Sequence, residues 1–385
     1  MPGERLPHYV NEKPFDPYTV EQLSPQQERY YQAPEWRIVW WRFRRHRVAV
    51  WSGAFLIAMY LAIVVCEFLA PYNLHTRNIQ HIYAPPQAVH LFHDGAFVGP
   101  FVYGFDHKLN METLSRVYTP NPDKVQPLRF FCRGDSYTFW NLFEADLHLF
   151  CPAEGGTAFL LGTDRLGRDM LSRVIYGARI SLSVALIAVA ISFVLGIVIG
   201  GAAGYFGGFV DALTLRTIEI IRSFPEIPLF MTLSALLPVT WSPVGVFAGI
   251  CVIIGFLEWP GLARAVRAKF LSLREEDFTT AAQLMGASPA RIIGRHLLPS
   301  FTSHLIASLT VSIPTAILGE TALSFLGIGL RPPVTSWGVV LNEAQNPSVI
   351  VVYPWLLLPV IPLFLVVLAF NFLGDGLRDA ADPYS

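Results

Sequence analysis

Charge is scarce in this sequence. Of 385 residues, 15% are Asp, Glu, Lys or Arg and 53% are hydrophobic, where a soluble domain carries about 25% charged residues. That deficit points to lipid as the main solvent. Four cysteines in such a length exclude a disulfide scaffold. A net charge of −1, with no strong basic patch, gives no footprint for nucleic acid. No Gly-x4-Gly-Lys-Ser/Thr run occurs, so the chain has no phosphate loop of its own, and no His-Glu-x-x-His metal site is present. No nucleophile–base constellation stands out. These absences predict a non-catalytic chain with no catalytic, cofactor-binding or metal residues. Nor does a charged segment followed by a short apolar stretch open the chain, so no cleavable signal peptide is expected.

Long uncharged stretches are what the sequence does have. A bilayer core of about 30 Å needs roughly 20 apolar helical residues. Six spans are predicted, at about 48–66, 180–205, 209–237, 244–268, 297–318 and 349–374, the fourth kinked at Pro260. Arg37, Arg42, Arg44, Arg45 and Arg47 precede the first span, and Trp36, Trp40, Trp41 and Trp51 give it an interfacial belt. The positive-inside rule then puts the N-terminus in the cytoplasm, and six spans return the C-terminus there. The expectation is an all-α integral membrane protein. It divides into a polar, disordered tail within 1–47, a first span at 48–70, an external insert with an interfacial helix at 71–177, a five-span core at 178–376, and a tail at 377–385.

The insert is too polar for lipid. From Pro71 to Asp164 it holds six Lys/Arg against nine Asp/Glu, which suits an external position. Arg165, Arg168, Arg173 and Arg179 argue the other way, but long segments translocate largely regardless of charge. Asp164–Ser181 reads as an amphipathic surface helix. Phe130, Phe131, Tyr137, Phe139 and Trp140 predict a small folded core, serving either as a receptor-guiding scaffold or as a cap on a neighbouring subunit. Outside the cytoplasm, Cys132 and Cys151 are candidate disulfide partners; the alternative is two free thiols. His148, three residues before Cys151, offers too few donors for a metal site. Cys66 and Cys251 read as buried apolar residues.

Between the fourth and fifth spans lies Ser272–Pro299. Ser272-x-x-Glu275 has the form of a capping box that starts a helix. Gly286 fits the position just past a helix end. Ser288 and Pro289 fit the cap and first position of a second helix. Two short helices joined by a glycine turn are expected, with Ala281 and Ala282 giving the first a small-residue face for another surface. On physics alone this is either a docking element or an ordinary capped loop.

Thr280-Ala281-Ala282-Gln283-Leu284-Met285-Gly286, then nine residues, then His296-Leu297-Leu298-Pro299, resembles the "EAA" motif of ATP-binding-cassette importer permeases. Thr280 stands for its glutamate and His296 for its isoleucine. Further stretches resemble the C-type permease subunit of the dipeptide/oligopeptide/nickel branch: Leu161-Gly162-Thr163-Asp164, Gly167-Arg168-Asp169, Gly177-x-Arg179-x-Ser181-Leu182, Gly204-Tyr205-x-Gly207-Gly208, Leu323–Gly329, Ser336-Trp337-Gly338 and Gly374–Asp379 with Asp382-Pro383. The resemblance runs from about Arg37 to Pro383, except most of the insert.

It implies a type I importer fold, methionine-importer-like, in the bacterial inner membrane. The loop at 277–293 would be a coupling helix, with Asp277, Thr280, Ala281, Ala282, Gly286, Ala287, Ser288 and Arg291 facing or shaping the contact with an ATPase. The implied partners are a homologous B-type permease, two ATPases that hold ATP and Mg, and a periplasmic solute-binding protein. Peptides are the leading substrate class, with oligosaccharides, nickel and opines as alternatives.

Arg216, Glu219, Arg222 and Glu226 fall within about 120° of one face of the third span. They either line the translocation path or pair to fix helix packing. Glu320 carries the same ambiguity. A secondary transporter driven by an ion gradient is the competing class, but no internal repeat supports it.

Overall fold

A computed structural model describes residues 33–111, 115–140, 142–238 and 240–381 of the chain. The expected disordered tail, Met1–Pro34, lies almost wholly outside these residues, as do 382–385. The chain is mostly helical. Two helices, α1 (Glu35–Arg45) and α2 (Arg47–Val64), are followed by a single turn, α3 (Cys66–Leu69). Four strands come next: β1 (His90–His93), β2 (Ala96–Leu109), β3 (Arg116–Phe139) and β4 (Phe143–Pro152). The remaining helices are α4 (Met170–Phe206), α5 (Gly208–Ser223), α6 (Glu226–Ala235), α7 (Pro243–Leu273), α8 (Asp277–Leu284), α9 (Pro289–Ile292), α10 (Thr302–Phe325), α11 (Trp337–Leu341), α12 (Pro347–Val352) and α13 (Val360–Ala381).

Five helical segments among the described residues are long and apolar enough to cross a membrane: 47–64, 170–206, 243–273, 289–325 and 354–381. The expected third span is instead two shorter helices, α5 and α6. Pro225 bars its predecessor from the helical region, and Phe224 is extended at φ −90°, ψ 141°. The expected surface helix at 164–181 is likewise absent as a separate element. Asp169 caps α4, its carboxylate accepting from the Ser172 amide at 2.7 Å, and α4 then runs unbroken into the membrane. Residues 35–45, assigned above to a tail, form α1, which seats Phe43 and Val39 against Leu377 and Ala380 of α13.

α4 and α7 make the closest helix pair. Gly196, Gly200 and Gly204 recur every fourth residue of α4 and therefore share one face. A Cβ on Gly200 would stand 2.7 Å from the Cα of Ala263, and one on Gly204 would stand 2.7 Å from the Arg267 carbonyl oxygen. Only glycine permits this approach, and in lipid such close packing is what holds helices together. Asp211 of α5 and Arg267 of α7 add a bidentate ion pair. The largest buried cluster joins α4, α7, α10 and α13 through residues such as Leu182, Ile254, Ile317 and Val366.

The insert is the non-helical part. Its strands form an antiparallel sheet in the order β1-β2-β3-β4. The first half of β3 pairs with β2, and its second half pairs with β4. Cys132 and Cys151 are disulfide-bonded across β3 and β4. His148 is buried, with its ring nitrogens against the carbonyls of Ala70 and Asp135 at 2.5 and 2.8 Å, which makes it a clamp between the sheet and the end of α3. No cluster of metal-ligating residues occurs among those described.

The arginines that strained the external placement of this region are paired. Asp164 accepts from Arg168 Nε at 2.6 Å and from Arg173 at 2.7 Å; Glu343, from a distant loop, accepts from the same two at 3.3 and 3.1 Å. Arg179 pairs with Glu67. Beside this network burial pushes the Asp169 carboxyl up to about 6. Aspartates of an unfolded chain titrate near 3.9. Folding therefore takes up a proton between those values, and stability falls as pH rises from about 4 to about 6, by roughly 3 kcal/mol over the full window. Asp169→Asn retains a capping oxygen and should remove this slope. Thermal midpoints of detergent-solubilised protein at pH 4 and pH 7 test it; parallel profiles for both proteins would refute the assignment.

Candidate functional site: the capped loop and a polar cavity

The loop after α7 is built from local rules. α7 does not stop at Ser272, so the capping box expected there is not made; α8 starts at Asp277, with Glu276 as a cap that makes no side-chain bond. The reason lies beneath it. The Thr279 hydroxyl donates to the Leu273 carbonyl at 2.8 Å, holding α8 under the end of α7. At the far end of α8 the Gly286 amide donates to the Gln283 carbonyl at 2.9 Å and the Ala287 amide to the Ala282 carbonyl at 3.0 Å. That pair of bonds is a Schellman cap, and it needs the left-handed conformation that Gly286 adopts at φ +79°. Ser288 then caps α9, its hydroxyl accepting from the Arg291 amide at 3.4 Å, with Pro289 in the first position. The helix–glycine turn–helix expected from the sequence is thus present.

Its two faces differ from the expectation. Ala282 is only 3% exposed and packs with Phe270, Leu273, Ile292 and Leu297. It roots the loop and offers no face to another surface. Asp277, Thr280, Ala281, Gly286, Ser288 and Arg291 are exposed, and Ala287 is half-buried. The features missed in the sequence are Leu284 and Met285, 85% and 82% exposed at the tip, with Phe278 exposed near the start of α8. The available signal was an apolar pair immediately before the turn glycine. Exposed apolar side chains on a rigid turn are the mark of a surface awaiting a partner.

The four charges of the presumed third span do not stay together. Arg216 and Glu219 form an exposed pair at 2.9 Å on α5. Arg222 and Glu226 approach to 4.0 Å across the break at Pro225. Of the four, Arg222 alone lines a polar cavity of about 380 Å³ between α4, α7, α10 and α13. Glu258, His304, Ser308, Asp375 and Arg378 line it too. Glu258 was missed because one charge in an apolar run looks incidental. Glu320 does not line this cavity. It is wholly buried, accepting from Ser181 at 2.8 Å and Ser324 at 2.7 Å. Ser181 in turn accepts from the Trp337 amide at 3.1 Å. Glu320 thereby joins α4, α10 and α11 as a packing hub.

Residues 192–384 match the model of the binding-protein-dependent transport system inner membrane component family. The chain belongs to this family. Residues 35–86 match the N-terminal transmembrane domain of oligopeptide transport permease C. The dipeptide transport system permease protein DppC of Bacillus subtilis is 40% identical over 223 residues, covering 58% of this chain and 68% of that protein. The oligopeptide transport system permease protein OppC of Haemophilus influenzae is 40% identical over 247 residues, 64% of this chain and 75% of that protein. The glutathione transport system permease protein GsiD of Pectobacterium atrosepticum is 37% identical over 227 residues, 59% of this chain and 73% of that protein. The inward facing MetNI methionine ABC transporter aligns with 55% of this chain and 98% of its own at 23% identity and a TM-score of 0.41. The two family models, the permease relatives and the apolar helices make the chain a multi-pass C-type permease of an inner-membrane component family.

Proposed function

We propose that this permease forms half of the translocation pore of an ATP-driven importer of peptides. Its cargo would be delivered by a periplasmic solute-binding protein, and a homologous B-type permease would supply the other half. The observation that carries the ATP-driven part is the exposed Leu284–Met285 tip, held on a Schellman cap and rooted by Ala282. A rigid apolar knob on a polytopic protein that lacks a phosphate loop fits a groove on a separate ATPase. Force enters through the loop. Because α8 is tied to α7 by Thr279, and α9 runs on through a π-helical segment (Ile293–Leu297) and a 3-10 turn (Pro299–Phe301) into α10, displacement of the tip is transmitted to two membrane helices. α7 and α10 both contribute to the polar cavity, so their separation would open or close it. Glycine-dependent contact between α4 and α7 would keep that motion a rigid-body shift.

The peptide assignment is supported by the named relatives, and the cavity suits it. Arg222 and Arg378 line the cavity together with Glu258 and Asp375, so both charge signs are available to the two ends of a zwitterion. The orientation that fits is cytoplasmic N- and C-termini, with the β-sheet on the periplasmic side.

Reconstitution with the companion permease, ATPases and binding protein in proteoliposomes tests the reading. Uptake of a labelled tripeptide is expected to require ATP and to stop with vanadate. Uptake of nickel or an oligosaccharide in place of peptides would overturn the substrate. Uptake driven by an ion gradient without ATP would overturn the mechanism.

A further inference from the structure

We propose that the tip of the β3–β4 hairpin is a membrane anchor, with Trp140, Leu142 and Phe143 set into the headgroup–acyl boundary of the leaflet where α2 ends. The hairpin is joined to that end. The indole N–H of Trp140 donates to the carbonyl of Val64, the last residue of α2, at 2.8 Å. One turn later in the chain, Phe68 packs on Phe131 of β3 with ring centroids 6.2 Å apart. The tip therefore sits at the depth of the helix terminus, where a span leaves hydrocarbon.

What the tip displays there is apolar. Leu142 is 79% exposed, and Trp140, Phe143 and Phe131 are exposed as well. Phe139 and Phe143 stack at 5.3 Å and close the turn as one aromatic block. Such a cluster in water costs about 25 cal/mol for each Å² of apolar surface. Both Phe131 and Trp140 hold left-handed backbone, at φ 51° and 48°, a conformation unfavourable for bulky residues. That conformation is spent on directing rings outward, away from the sheet's own core.

Lipid is the occupant that the surroundings favour. α2 is the least buried span: 17% of its most apolar stretch is covered, against 33–50% for the other four. Leu61 and Val64 at its end, and Val65 just after it, are exposed apolar side chains at the level where Trp140 is bonded. Two polar groups at this level are already satisfied. The Trp140 N–H is bonded, and the Arg179 guanidinium lies 5.0 Å over the Trp140 ring while pairing with Glu67. The exposed Glu144 carboxylate beside Phe143 has no ion pair among the described residues and so marks the headgroup side of the boundary, and a tryptophan stacked with a neutralised arginine is the composition of an interfacial belt. Anchored at both α2 and the leaflet, the sheet would be held at a fixed angle to the membrane.

A single cysteine at Leu142, labelled with nitrobenzoxadiazole, tests this in the full chain. The native thiols do not interfere, since Cys66 and Cys251 are buried and Cys132 and Cys151 are bonded. Asp123→Cys, at an exposed polar position on β3, is the reference. In phosphatidylcholine vesicles with brominated acyl chains, the label at 142 should lose most of its emission and resist aqueous iodide. The label at 123 should behave in the opposite way. Iodide quenching at 142 equal to that at 123 would overturn the anchor. So would shielding of 142 from both quenchers, which would mean a protein covers the tip. Should Leu142→Cys not fold, Phe143→Cys carries the same test.

Discussion

Gly200→Leu should leave almost no folded protein in the membrane. A Cβ at this position already meets the Ala263 backbone at 2.7 Å from its Cα, and leucine adds three further carbons beyond it. The obstacle is main chain, so no rotamer change relieves it. α4 and α7 must separate along the face that Gly196 and Gly204 also hold. Overpacking in a tight site costs typically 1–3 kcal/mol, and more where backbone must move. Here separation also forfeits the van der Waals contact that substitutes for the hydrophobic effect between helices in lipid. Against a total stability of about 5–15 kcal/mol, that loss is decisive. Gly319→Leu is the matched control, because a Cβ there meets nothing within 4 Å. Purified yield and elution volume in detergent should fall about tenfold or more for the first variant relative to the second. Equal yields would mean that the close approach is not required.

Features set by short-range chemistry were legible in the sequence. Gly286 after a helical run, and Ser288-Pro289 after that, specify a glycine cap and a capped start through bonds spanning only a few residues. The apolar lengths of five of the six spans carried over because hydrocarbon thickness is a constraint on each segment separately. The third failed where one residue mattered: Pro225 outweighed a run that was otherwise apolar enough.

The β-sheet was illegible for a different reason. β3 contains Pro120, Pro122 and Pro127, and its register shifts where it pairs with both neighbours, so no clean alternation marks it. The pairing of Arg168 and Arg173 with Glu343 joins chain segments at least 170 residues apart, which no local pattern announces. The same holds for the cavity, where Glu258 and Asp375 acquire meaning only when α7 and α13 are side by side. Glu320 shows the converse case. A carboxylate in an apolar helix invited a functional role, yet the two hydroxyls that satisfy it make it structural.

The proposed coupling role separates cleanly from loop integrity when substitutions are chosen by exposure. Leu284→Asp with Met285→Asp should abolish ATP-driven uptake while leaving insertion and thermal stability close to wild type. Both side chains project from the tip and contribute nothing to the buried root. If they fill an apolar groove on an ATPase, each truncated anchor costs about 2 kcal/mol, and two together weaken the complex by roughly a thousandfold. Ala282→Asp is the opposite case: it sets a carboxylate against Phe270, Ile292 and Leu297, where no partner awaits it, and should unfold the loop itself. Gly286→Asp should be milder than either. It meets no atom within 4 Å, and aspartate is among the residues that tolerate a positive φ. Co-purification of the ATPases, measured beside uptake and thermal midpoint, resolves the three. Loss of uptake with full ATPase binding in the Leu284/Met285 variant would move the coupling contact away from the tip. Wild-type uptake in that variant would remove the loop from the mechanism altogether.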